Sequence, residues 1–91
     1  MSDARKTNPE IEISLRLHAQ LREIADEPLL VIRLPSGSTV ADAFECAIET
    51  HPGLSPFREV VAFARNDLLV TRTATFESGD RLDVLPPVSG G

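Results

Sequence analysis

The sequence predicts an α+β fold in which one main helix lies over one face of one sheet. Three observations lead there. Residues 11–17 alternate strictly between apolar and polar, and residues 40–50 carry an apolar stripe at helical spacing. The remaining strand-like runs follow that helix instead of alternating with further helices, which is the segregation typical of α+β layers. The chain has 91 residues, 42% of them hydrophobic, which fits a single domain with a modest core.

Each element has a local reason. In Ile11-Glu12-Ile13-Ser14-Leu15-Arg16-Leu17 the four apolar residues share one face, as in a half-buried strand. His18 to Asp26 holds Leu21, Ile24 and Ala25 among polar residues and predicts a short helical turn packed by one side. Pro28 and the acids Asp26 and Glu27, read as solvated loop charges, break it; Leu29–Leu34 is a second strand. Pro35-Ser36-Gly37-Ser38 is turn chemistry. Thr39 then serves as N-cap, with Asp42 three residues on in a capping-box arrangement. The main helix runs from Val40 to Thr50 with Val40, Ala43, Phe44, Ala47 and Ile48 as its stripe, and His51-Pro52-Gly53 stops it.

Leu54 to Glu59 reads as a loop with room for a short helical piece. A third strand spans Val60–Arg65, Asn66-Asp67 forms a tight turn, and Leu68–Val70 is a short fourth strand. Thr71–Thr75 is a polar connection, and Phe76-Glu77-Ser78-Gly79-Asp80 contains a turn. Arg81–Leu85 is the last strand, ended by Pro86, which has no N–H to donate. Phe44, Phe63 and Phe76 are core candidates, and Phe57 caps the core edge. Nothing covers the second sheet face, so that face should be partly polar or occupied by a partner. The domain is read as residues 11–85, between a polar, disordered lead-in (1–10) and a tail (86–91).

Several functional classes are excluded by composition. The net charge is −5 and there is no basic stripe interleaved with aromatics, so nucleic acid is not the partner. Cys46, the sole cysteine, allows no internal disulfide; it is read as a small, semi-buried residue and not a nucleophile. His18 and His51 lack any metal-ligand spacing, so no metal site is expected. There is no phosphate loop and no Ser-His-Asp set. No apolar run approaches membrane-spanning length, and residues 1–10 lack the apolar stretch of a secretory signal. A cytoplasmic protein with no membrane association is the expectation.

The tail Pro86-Pro87-Val88-Ser89-Gly90-Gly91 is the most telling segment. A Gly-Gly pair has no Cβ and can approach another backbone closely. The α-carboxylate at its tip is ionised near neutral pH. Two prolines bias the start of the tail toward an extended form, and six residues reach about 20 Å at roughly 3.3 Å each. This is a slim carboxylate on a short lead, suited to entering another protein's active site. Ser89 is read as merely small.

Together with Ala19-Gln20-Leu21-Arg22-Glu23 after the first strand, Asn66 before Leu68-Leu69-Val70, and Ser78-Gly79-Asp80, this tail resembles the MoaD branch of the MoaD/ThiS ubiquitin-like sulfur carriers. The resemblance spans Ile11 to Gly91 and implies a β-grasp (ubiquitin-like) fold with a mixed sheet. It also implies a protein that is not an enzyme by itself and binds no cofactor. A ubiquitin-activating-type, MoeB-like enzyme would use ATP to adenylate Gly91, and a sulfur donor system would convert it to a thiocarboxylate. A MoaE-like large subunit carrying the catalytic residues would then take the sulfur, as in molybdopterin synthase. Residues Pro86 to Gly90 would be threaded into that subunit. His18, Leu69 and Leu85 would belong to an apolar docking patch on the uncovered face. Leu85 has the opposite parity from Leu82 and Val84, which agrees with that placement, whereas His18 stands where the family commonly has an apolar or aromatic residue. Arg22 would contact the activating enzyme or be a solvated helix arginine. Three other readings stay open: a carrier for cysteine, thiamine or transfer-RNA thiolation, a ubiquitin-like modifier of lysines, and a binding module with an inert tail.

Overall fold

The structure, a computed structural model, describes residues 10–87. The lead-in before Glu10 and the tail beyond Pro87 lie outside the described residues. Five strands, β1 (Glu10–Leu17), β2 (Leu29–Pro35), β3 (Ala62–Arg65), β4 (Leu68–Val70) and β5 (Arg81–Leu85), form one sheet in the order β2-β1-β5-β3-β4. β1 and β5 run parallel and every other neighbouring pair is antiparallel. This is the expected mixed sheet of a β-grasp fold. Two helices accompany it, α1 (Gln20–Ala25) and α2 (Val40–Thr50).

The alternation of β1 does what its pattern requires. Ile13, Leu15 and Leu17 are fully buried and Ile11 is half-buried at the strand's start. They meet Val40, Ala43, Phe44, Ala47 and Ile48 of α2 and Leu82 and Val84 of β5 in one core. Phe44 and Phe63 pack edge-on, with ring centroids 5.9 Å apart and planes at 73°, the arrangement favoured by ring quadrupoles. The Arg72 guanidinium lies 5.4 Å from the other ring's centroid, that of Phe63. Phe76 is also buried, and Phe57 packs half-buried against the core.

The start of α2 is the best-satisfied helix end. Thr39 Oγ1 accepts from the Asp42 N–H at 3.2 Å, and Asp42 Oδ2 accepts from the Thr39 N–H at 2.9 Å, completing the capping box. The next donors are also used: Val40 N–H donates to the Ala74 carbonyl at 2.8 Å and Ala41 N–H to that of Arg72 at 3.0 Å. The 71–75 connection therefore closes the helix N-terminus, a task its polar composition did not reveal. Thr39→Ala is expected to cost about 1 kcal/mol. The measurement is urea unfolding, with a lowered midpoint at unchanged slope.

Several details differ from the sequence reading, among them the end of β2, which takes in Pro35. β1 already opens at Glu10. The short helical piece allowed for in the 54–59 loop is a 3-10 helix that begins earlier and covers Pro52–Phe57. The third strand begins at Ala62, because Val60 and Val61 N–H groups donate back to the Phe57 carbonyl at 3.0 and 3.2 Å. Ile24 is not core but 40% exposed; its Cγ2 lies 2.9 Å from where a Cβ on Gly53 would sit, so Gly53 is what lets the two short helical pieces approach.

A candidate docking groove on the open sheet face

The face of the sheet away from α2 is built from the polar phase of each strand. The register places Arg16 beside Asp83 across the parallel β1–β5 pair, Ala64 opposite Asp83 across β3–β5, Ala62 opposite Leu85, and Leu69 opposite Ala64 across β3–β4. Directly opposed residues share a face, so these side chains form one continuous band. Of these, Arg16, Asp83, Ala64, Leu69 and Leu85, together with His18, Asp67 and Arg81, line a concavity of about 360 Å³. Its floor is Ala64, only 8% exposed although no helix covers it. Its apolar wall is Leu69, 73% exposed on the edge strand, and half-buried Leu85.

His18 closes the other side. Its Nε2–H donates to Asp83 Oδ1 at 3.0 Å. The Asp83 side chain is only 14% exposed, so the pair fixes the ring against β5. The backbone helps: the His18 carbonyl accepts the Leu21 N–H at 3.1 Å in a tight turn whose second residue, Ala19, has φ 52 and ψ −128. That region suits glycine and strains an L-residue by about 1–3 kcal/mol. Ala19→Gly is expected to raise stability by about 1 kcal/mol after the added unfolded-state entropy of glycine. For a domain of this size that is a Tm rise of about 4–8 °C in calorimetry.

The two turns that aim the flanking strands are equally specific. Asn66 and Asp67 both have positive φ, 55 and 67, the requirement of a two-residue hairpin loop. Gly79, φ 91, sits in the turn before β5, where its N–H donates to the Glu12 carbonyl at 2.8 Å. β5 is thereby pinned to β1 at its start, and it leads out to Pro86, half-buried, and Pro87, exposed.

Of the site residues read from the sequence, the structure brings His18, Leu69 and Leu85 together at the point where the tail leaves. Arg22 is exposed on α1 and does not line the groove. Val88, Ser89, Gly90 and Gly91 lie outside the described residues. Sequence reasoning missed the polar half of the groove: Asp83, Arg16, Arg81 and Asp67. The one local signal was parity, since Arg16, Arg81 and Asp83 all sit out of phase with buried neighbours. That they converge depends on the parallel β1–β5 pairing.

Cys46 is half-buried on α2, and burial, reinforced by Glu49, Asp42 and Glu45, pushes its thiol pKa up, opposite to what a nucleophile needs. The Arg58 hydrogen bond holds the Glu45 carboxyl below its usual range, an exposed ion pair remote from the groove. Among the described residues no cluster of His, Cys, Asp and Glu could hold a metal ion, and no helix is long and apolar enough to cross a membrane.

The chain is similar to known proteins over most of its length. The ThiS family profile matches residues 15–91. The molybdopterin synthase sulfur carrier subunit of Arabidopsis thaliana is 35% identical over 81 residues, covering 89% of this chain and 84% of that protein. The protein of the same name from Drosophila yakuba is 30% identical over 86 residues, covering 91% and 94%. Among solved structures, SAMP1 from Haloferax volcanii superposes with a TM-score of 0.78 at 27% identity, covering 88% of this chain and 99% of that one.

Proposed function

The chain belongs to the ThiS family, and from that premise we propose that it is the sulfur carrier subunit of a molybdopterin synthase. The observation that carries this reading is the continuity of the family match, which runs from β1 through the groove residues to Gly91; relatives similar over about nine-tenths of the chain have names that specify that role.

In this reading the globule positions and the tail reacts. The Gly91 carboxylate oxygen attacks the α-phosphorus of ATP on an activating enzyme, releasing pyrophosphate and giving an acyl-adenylate. A sulfur nucleophile from a donor system then attacks the carbonyl carbon and displaces AMP. The product is a thiocarboxylate, whose sulfur is a nucleophile held by one covalent bond. Docking of the groove on a larger subunit fixes the root of the tail. Sulfur delivery then becomes effectively intramolecular, an advantage of several kcal/mol at best. Ala64, Leu69 and Leu85 supply apolar contact, and the His18–Asp83 pair and the flanking arginines supply a polar rim. The catalytic acids and bases belong to the larger subunit.

Intact-mass measurement tests this. After incubation with an activating enzyme, ATP and sulfide, the mass should rise by the difference between one sulfur and one oxygen atom, and fall back on addition of the large subunit and its pterin precursor. An unchanged mass under conditions that charge a known carrier would reject the proposal.

The likeness to SAMP1, a small archaeal modifier protein by the name its relatives' structures carry, favours one second reading, conjugation through Gly91 to lysines. Gly-Gly remnants on lysines of other proteins, detected after proteolysis, would distinguish it.

A further inference from the structure

We propose that the free edge of β2 pairs with the same edge of a second copy of this chain, forming an antiparallel two-fold dimer with one sheet continuous across both. The two edges of this sheet are treated differently. β4, at one end, has three residues, a length that blunts an edge. β2, at the other end, has seven, Leu29-Leu30-Val31-Ile32-Arg33-Leu34-Pro35. Its first four are apolar, it contains no lysine, and proline comes only at its last position. Leu29 and Val31 are exposed on the open face, Val31 by 60%. Between β2 and α2, at this edge, lies a concavity of about 420 Å³ lined by Leu30, Ile32 and Cys46 and also by Glu27, Val31, Arg33 and Glu49.

The backbone fixes how such an edge would be used. Leu17 N–H donates to the Pro28 carbonyl at 2.9 Å, and the β1–β2 register continues that pair through Leu15↔Leu30 and Ile13↔Ile32. Alternate residues of an antiparallel strand point their polar groups to opposite sides. Leu30, Ile32 and Leu34 therefore bond to β1, and the N–H and C=O groups of Leu29, Val31 and Arg33 point outward from the sheet.

The side chains make this edge complementary to itself. With the two-fold axis at Val31, Val31 meets its own copy as a hydrogen-bonded pair and Leu29 meets Arg33 of the second copy. Leu30 and Ile32 meet each other on the helix side, above the concavity. Glu27, two residues before Leu29, becomes diagonal to Arg33 of the second copy, within reach of long side chains. Among the described residues neither Glu27 nor Arg33 has an ion-pair partner of its own. Symmetry forms each of the off-axis contacts twice, as an isologous interface does. β2 and β4 are opposite ends of the sheet, so pairing leaves Leu69 and the docking groove uncovered. This proposal does not rest on the sulfur-carrier reading.

Sedimentation equilibrium of the full chain, from micromolar to submillimolar concentration, tests it. The mass should rise from 9.9 kDa toward twice that. Val31→Lys should leave the far-UV spectrum unchanged and keep the chain monomeric. Arg33→Glu, which sets like charges at both diagonals, should weaken association about tenfold. Glu27→Arg combined with Arg33→Glu should restore it, an outcome that general loss of folding cannot mimic. A chain monomeric throughout the range overturns the proposal. So does a dimer that survives both Val31→Lys and Arg33→Glu, because its interface would lie elsewhere. Should Val31→Lys unfold, the charge swap and its restoration decide alone.

Discussion

Removal of Gly91 should abolish sulfur transfer while leaving the domain folded. The two halves of this expectation have separate causes. Stability resides in a core made from residues 13–84, and the last described residue, Pro87, is already exposed. Deleting Gly91 removes none of these core residues, so Tm should move by no more than a surface change does, about 0.5 kcal/mol in stability. Chemistry depends on the acyl group and its reach. Without Gly91 the carboxylate retreats by about 3.3–3.6 Å, and misplacement by about 1 Å can cost a hundredfold in rate. An appended residue is expected to be as damaging, since it buries the reactive carbonyl in a peptide bond. Two measurements check this together: thermal unfolding, and thiocarboxylate formation by intact mass. A deletion variant that still acquires sulfur would place the reactive group elsewhere.

The second large effect is expected at Leu69→Asp. Leu69 is 73% exposed on the short edge strand, on the face opposite the core, so the fold loses almost nothing beyond Asp's poorer strand preference, at most about 1 kcal/mol. At a docked interface the same change places an unpaired carboxylate against apolar surface, with Asp67 close by in the same groove. Truncations at interface hot spots cost about 2 kcal/mol or more, and here a charge is also desolvated. Affinity for the large subunit should fall at least about thirtyfold, read by calorimetric titration. Adenylation by the activating enzyme gives a second readout, showing whether the two partners use the same surface. Full affinity in the variant would move the docking surface away from the groove.

Much of this molecule was legible because its local rules agree with one another. The alternation of 11–17, the stripe of α2, the Thr39–Asp42 box and the Asn66-Asp67 turn are all within a few residues of their cause, and all stand where the pattern put them. The misplaced start of β3 has an equally local explanation. Val60-Val61 continues an apolar run without a change of phase, and only the bonds back to Phe57 end the preceding turn there. Ile24 was misassigned because α1 is too short for periodicity to choose a face. The groove was half legible. Parity gave Leu85 its direction, whereas resemblance, not spacing, singled out His18 and Leu69. The contact between His18 and Asp83 spans 65 positions and exists because β1 and β5 run parallel, a pairing no local pattern encodes.

The strand order has a temporal meaning for synthesis. Among the described strands β5 alone joins the β1–β2 pair to the β3–β4 pair within the sheet, and it comes after the other four in the chain. In a nascent chain the β1–β2 and β3–β4 pairs share no strand-to-strand hydrogen bonding until residues 81–85 clear the exit tunnel. Closure of the sheet and exposure of the segment that follows are therefore nearly simultaneous, and a modifying enzyme that recognises the finished sheet never meets the terminus on an unfinished body.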